Sequence, residues 1–135
     1  MNLPKIGDVI TTDRARALCV HYGYAYLVER IDAAPAGTFK EWKFDGASMV
    51  PDELVSKLAG IPNLIEIALK HDLKYAYGEL GNDAERLKAD DEFKADLLAD
   101  GASRLVADLM HQAVRKGGHE RWKTSFSWGF ARTHR

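Results

Sequence analysis

Three helix-patterned segments in the second half of the chain, each begun by a capping residue and stopped by glycine, constrain its fold more than any other feature. Asn63 with Glu66 three residues on reads as a capping-box-like start, Leu64, Ile65, Ile67, Ala68 and Leu69 follow, and Gly78 is a natural stop. Asn82 with Glu85 opens a second segment that runs to about Ala99, where Asp100 and Gly101 break it. Ser103 opens a third, to Lys116, carrying Leu105, Val106, Leu109, Met110 and Ala113 and ending on Gly117-Gly118. Short breaks between amphipathic helices make sequence neighbours pack as antiparallel pairs, so the expected fold is mainly α with a helical core over 63–118.

The first half is less regular. A short helix capped by Thr12 or Asp13 reaches about Tyr22, and Tyr24 to Ile31 reads either as a strand or as the end of that helix. Ala33 to Gly37 is a turn, and Thr38 to Phe44 is a candidate second strand of a small N-terminal β-hairpin. The loop Asp45 to Pro51 then precedes a helical turn from Asp52 to Leu58. Residues 119–135 form an aromatic and basic segment whose Trp122, Phe126, Trp128 and Phe130 are expected to pack back on the domain.

A chain of 135 residues suits one domain with one sizeable core. Its apolar share of 46% is that of an ordinary globular protein, and a net charge of -1 offers no broad attraction to nucleic acid or anionic membrane. The single cysteine, Cys19, rules out an internal disulfide, favours a reducing, cytoplasmic setting and reads as a core thiol. No run of 18 apolar residues occurs, so no transmembrane segment is expected.

The chemistry is signalled by polar residues on apolar faces. On the Asn63 helix, Glu66, Lys70 and Lys74 share the side opposite the apolar arc, whereas His71 and Asp72 fall inside it, with Tyr75 one turn beyond. On the Asn82 helix, Leu87, Phe93, Leu97 and Leu98 make a stripe into which Asp90 projects. A carboxylate on a buried face needs a partner, and facing the two stripes across the turn at 78–81 brings Asp90 to His71. A histidine oriented by a carboxylate can take a proton from water, and a neighbouring unpaired aspartate suits a hard divalent cation. The alternative uses are a structural hydrogen bond for His71 and Asp72 and a salt bridge from Asp90 to Arg86 or Lys94. Asp45, in an Asp-Gly turn, is either a loop cap or a further ligand. Ser48 lacks the setting of a nucleophile elbow, and His21, His111, His119 and His134 lack metal-ligand spacing.

His71-Asp72-Leu73-Lys74-Tyr75 resembles the His-Asp-x-x-Tyr helix of the phospholipase A2 superfamily, and Ala89-Asp90-Asp91-Glu92-Phe93 is similar to the Ala-Asp-x-x-Phe element of its disulfide-free parvovirus-capsid members. Asp45 to Pro51 and Arg86 to Asp90 also look like elements of bacterial sequences of this type. The resemblance implies calcium-dependent hydrolysis of a lipid ester at a membrane surface. In it His71 is the general base, Asp90 orients it, and Tyr75 hydrogen-bonds Asp90. Asp72 is the side-chain calcium ligand, the loop from Phe44 through Gly46 to Ser48 offers backbone carbonyls, and the Gly46 N–H stabilises the oxyanion. The glycine-rich calcium loop of the established enzymes is here reduced to one glycine followed by Ala47 and Ser48. Met49, Val50, Leu54 and Leu58 serve as the apolar rim for lipid, as ordinary core or as a partner-binding patch.

A second resemblance is to an uncharacterised phage and prophage family with an Asp-x-Ala-Ser loop, a His-Asp pair and an Ala-Val-Arg element near a tryptophan, here Asp45 to Ser48, His71-Asp72, Ala113-Val114-Arg115 and Trp122. It implies a non-catalytic protein that binds a protein partner, with the His-Asp site structural or metal-binding.

Overall fold

The computed structural model describes residues 1–46, 52–58 and 60–135. In chain order these form β1 (Val9–Ile10), α1 (Thr12–Tyr22), α2 (Ala25–Ala33), β2 (Trp42–Lys43), α3 (Asp52–Leu58), α4 (Leu64–Ala76), α5 (Asp83–Ala99), α6 (Arg104–Gly117) and a short 3₁₀ turn at Glu120–Trp122. The fold is mainly helical, with one small antiparallel sheet. No helix among the described residues is long and apolar enough to cross a membrane.

The expected hairpin between 24–31 and 38–44 does not form. Ala25 to Ala33 is helical, because Gly23, at φ 77°, ends α1 and lets the chain restart as α2 with Tyr24 at its N-terminal cap. The sheet instead pairs β1 with β2, Val9 opposite Lys43 and Ile10 opposite Trp42, with both early helices lying between them in sequence. Thr11 rather than Thr12 or Asp13 caps α1, accepting the Arg14 N–H at 3.1 Å.

The three later helices match the expected segments closely. Asn82 and Ser103 cap α5 and α6, accepting the backbone N–H groups of Glu85 and Val106. Asn63 does not cap α4 with its side chain; its backbone N–H and side-chain amide both donate to the Asp100 carboxylate, at 2.7 and 2.8 Å, tying the start of α4 to the end of α5. The buried stripe of α5 consists of Ala89, Phe93 and Leu97 with Arg86 and Asp90, while Leu87 and Leu98 are exposed. On α6 the stripe is rotated to Val106, Ala107, Met110 and Val114, leaving Leu105 exposed.

Helix α4 lies between two apolar clusters. One side, with Leu69, Leu73, Tyr75, Ala76 and the following Tyr77, packs with Ile10, Leu18, Cys19, Leu27, Trp42, Phe44, Trp128 and Phe130. The other, through Ile67, joins Phe93, Leu97, Met110, Val114, Leu54 and Leu58. Leu54 and Leu58 are therefore core, not a lipid-facing rim. Lys74, expected on the exposed side, is buried: its ammonium donates to Glu92 at 2.6 Å and lies 4.9 Å from the Tyr24 ring centroid.

The C-terminal segment closes the end of α4. Gly129 and Ala131 donate backbone N–H groups to the carbonyls of Tyr75 and Ala76 at the end of α4, Tyr75 also accepting the Gly78 N–H at 3.3 Å. Trp128 covers Gly78 so closely that a β-carbon there would lie 2.2 Å from the indole, which explains the glycine by space rather than by backbone angle. Trp128 and Phe130 are buried as expected, whereas Trp122 remains half exposed.

Candidate functional site

His71 and Asp90 meet at the α4–α5 seam. His71 Nε2 lies 2.9 Å from Asp90 Oδ1, with the imidazole 3% exposed and the carboxylate fully buried. Tyr75, one turn along α4, donates its hydroxyl to the same Oδ1 at 2.7 Å. The imidazole lies between the Tyr75 ring, at 4.3 Å between centroids, and the Phe93 ring, at 4.6 Å. Gly118 makes room for this arrangement, since a β-carbon there would sit 2.6 Å from the Tyr75 ring and hydroxyl.

The other carboxylate oxygen is held by cations. Arg115 of α6 donates from Nη1 to Asp90 Oδ2 at 2.9 Å, and Arg86 Nη1 lies 3.7 Å from the same atom. Burial works to raise the Asp90 pKa, but the hydrogen bonds from His71, Tyr75 and Arg115 outweigh it and hold the group below the ordinary carboxylate range. An ionised Asp90 only accepts, so the His71 proton sits on Nε2 and Nδ1 carries the free lone pair. Burial also lowers the His71 pKa against the opposing pull of Asp90, and the nearby Lys74 and Arg86 charges lower it further. At neutral pH the ring is an uncharged base. Tyr75 is held protonated, first by burial and then by the Asp90 charge.

Asp72 points to different chemistry. It is partly buried, and among the described residues no side chain or backbone group hydrogen-bonds it and no cation pairs with it. Burial, with the charge of Asp45 added, raises its pKa well above the usual range. Carboxylate oxygens are hard donors of the kind a calcium-like cation takes, and a cation at Asp72 would relieve the opposing charge of Asp45. Among the described residues, no group of three or more His, Cys, Asp or Glu side chains could hold a metal, so such a cation would draw its remaining ligands from backbone carbonyls and water.

Of the loop residues, Asp45 is exposed and Gly46 is buried at φ 78°. The positive φ favours glycine at Gly46, and a β-carbon there would also press the exposed Ile6 side chain at 3.1 Å. The Phe44 side chain is core, and its carbonyl accepts the Gly7 N–H at 2.7 Å, which leaves one lone pair for any ligand role. Ala47, Ser48, Met49 and Val50 lie outside the described residues.

The structure thus brings together His71, Asp90 and Tyr75, and lets the charge of Asp45 bear on Asp72. Arg86 does pair with Asp90, as the alternative reading allowed, while Lys94 pairs with Asp108. Arg115, part of the Ala-Val-Arg element, carries no sequence signal for this site, because on a helical wheel it is an ordinary basic residue in the last turn of α6. Comparison of the chain with protein-family models, with curated proteins and with solved structures gives no match.

Proposed function

We propose that this protein is a calcium-dependent, phospholipase A2-like hydrolase that cleaves a lipid ester with a His71-activated water. The observation that carries the reading is the buried arrangement in which Asp90 Oδ1 receives both His71 Nε2 and the Tyr75 hydroxyl, leaving Nδ1 to accept a proton. Asp90 fixes the tautomer and balances the imidazolium that forms when water is deprotonated. Tyr75 adds a second hydrogen bond to the same oxygen and so stabilises its charge. Asp72, with Asp45 and loop carbonyls, would hold the cation, which when bound supplies positive charge to the carbonyl oxygen of the ester. Gly46 contributes an N–H for the same oxygen. Ile6 and Ile65, both exposed, flank Gly46 and supply apolar surface where lipid would approach.

The test is calcium titration by calorimetry on the wild type and Asp72→Asn, followed by hydrolysis of mixed phospholipid vesicles. Binding lost in the variant, with turnover abolished in a folded His71→Asn, is the expected result. Absence of calcium binding to the wild type overturns the mechanism.

A second reading has its own observation. Asp90 joins α4, α5 and α6 through His71, Tyr75, Arg86 and Arg115, as a purely structural ion network would. In that reading the chain is a non-catalytic phage-type protein that binds a protein partner through another surface. Loss of folding in His71→Asn, without calcium binding in the wild type, supports it.

A further inference from the structure

We infer that Arg115 is a positioning residue that locks the Asp90 carboxylate in the orientation presenting Oδ1 to His71 and Tyr75, so that docking of α6 completes the dyad. The inference rests on the hydrolase reading for its catalytic meaning, but its geometry is independent of substrate.

A carboxylate on a single Cβ–Cγ bond can turn to exchange its two oxygens, and hydrogen bonds to one oxygen do not prevent that. Here both are used. Oδ1 takes the His71 and Tyr75 donors, and Oδ2 takes Arg115 Nη1 at 2.9 Å. The guanidinium is itself held, because its Nη2 donates to both oxygens of Asp83 at 3.2 and 3.3 Å. A planar fork pinned at two carboxylates fixes direction in a way a lone point charge does not. Arg86 is the weaker partner for this role: it lies 3.7 Å from Oδ2 and spreads its donors over Asp83, the Tyr75 hydroxyl and the Val114 and Arg115 carbonyls.

Arg115→Gln, read by nitrogen-resolved imidazole NMR at neutral pH, tests this. The expected result is a mixture of Nε2–H and Nδ1–H tautomers at His71 where the wild type has the first alone. On vesicle substrate with calcium, kcat should fall about tenfold to a hundredfold with KM little changed, the size of a small misplacement of a catalytic group. Arg115→Lys, which keeps the charge but not the fork, should give intermediate values in each measurement. A single Nε2–H tautomer in Arg115→Gln overturns the proposal; if that variant does not fold, the same outcome in Arg115→Lys overturns it. A mixed His71 tautomer in a variant of a protein that hydrolyses no lipid ester upholds the positioning role and removes the hydrolase reading instead.

Discussion

At the scale of single residues, His71 and Asp72 impose opposite pH dependences. The native His71 resists protonation below its ordinary pKa of 6.5, chiefly because it is buried, while the unfolded chain does not. Its contribution to stability is therefore full above about pH 6.5 and is lost as pH falls from there toward the native value, with a slope of at most about 1.4 kcal/mol per pH unit from one proton. Urea unfolding of wild type and His71→Asn at a series of pH values should show this slope only in the wild type. Asp72 has a raised native pKa, caused by burial and then by Asp45, so the native state gives up its proton later than the unfolded chain as pH rises above 3.8. Its ionisation is a cost at neutral pH in the absence of a cation. Asp72→Asn should accordingly raise the melting temperature of calcium-free protein at pH 7, with the gain fading near pH 4, and abolish any stabilisation by added calcium. Removing the charge of Asp90 acts the other way, because Asp90→Asn leaves Arg86 buried beside Arg115 without its carboxylate. The expected cost is about 3–5 kcal/mol in denaturant unfolding.

At the scale of elements, α4 and the C-terminal segment depend on each other. The tail supplies N–H groups to the last carbonyls of α4, and the indole of Trp128 covers Gly78 and donates to the Glu79 carbonyl at 2.6 Å. Gly78→Ala must push that indole away, since the added carbon has only 2.2 Å. The expected loss is about 1–3 kcal/mol from overpacking, measured by chemical denaturation, with a change in tryptophan emission as Trp128 moves toward water. The same contacts explain which element expectations held. Helices α4, α5 and α6 were legible because periodicity, caps at Asn82 and Ser103 and glycine stops act within a few residues. Their faces were less legible: Leu87, Leu98 and Leu105 are exposed and Lys74 is buried, because the neighbouring helices and Glu92 decide which side of each apolar arc is covered.

At the scale of the whole molecule, the site lies where α4, α5 and α6 meet, and its order depends on everything packed around α4. Trp128 packs edge-on against Tyr75 at 5.0 Å between ring centroids, linking the tail to the hydroxyl that donates to Asp90. Trp128→Ala should cost about 3–5 kcal/mol, and His71 should lose its single tautomer well before the helices unfold on heating, as followed by NMR and far-ultraviolet dichroism. The sequence by itself determined the helical class, the three later helices and the meeting of His71, Tyr75 and Asp90, because apolar spacing on two consecutive helices joined by a short turn leaves few ways to pack them. Only the tertiary structure decided that β1 pairs with β2 across two helices, that Leu54 and Leu58 are core and that Arg115 reaches Asp90. Those contacts join residues 25 or more positions apart, and hydrogen bonding and burial across such distances leave no local period in the chain to read.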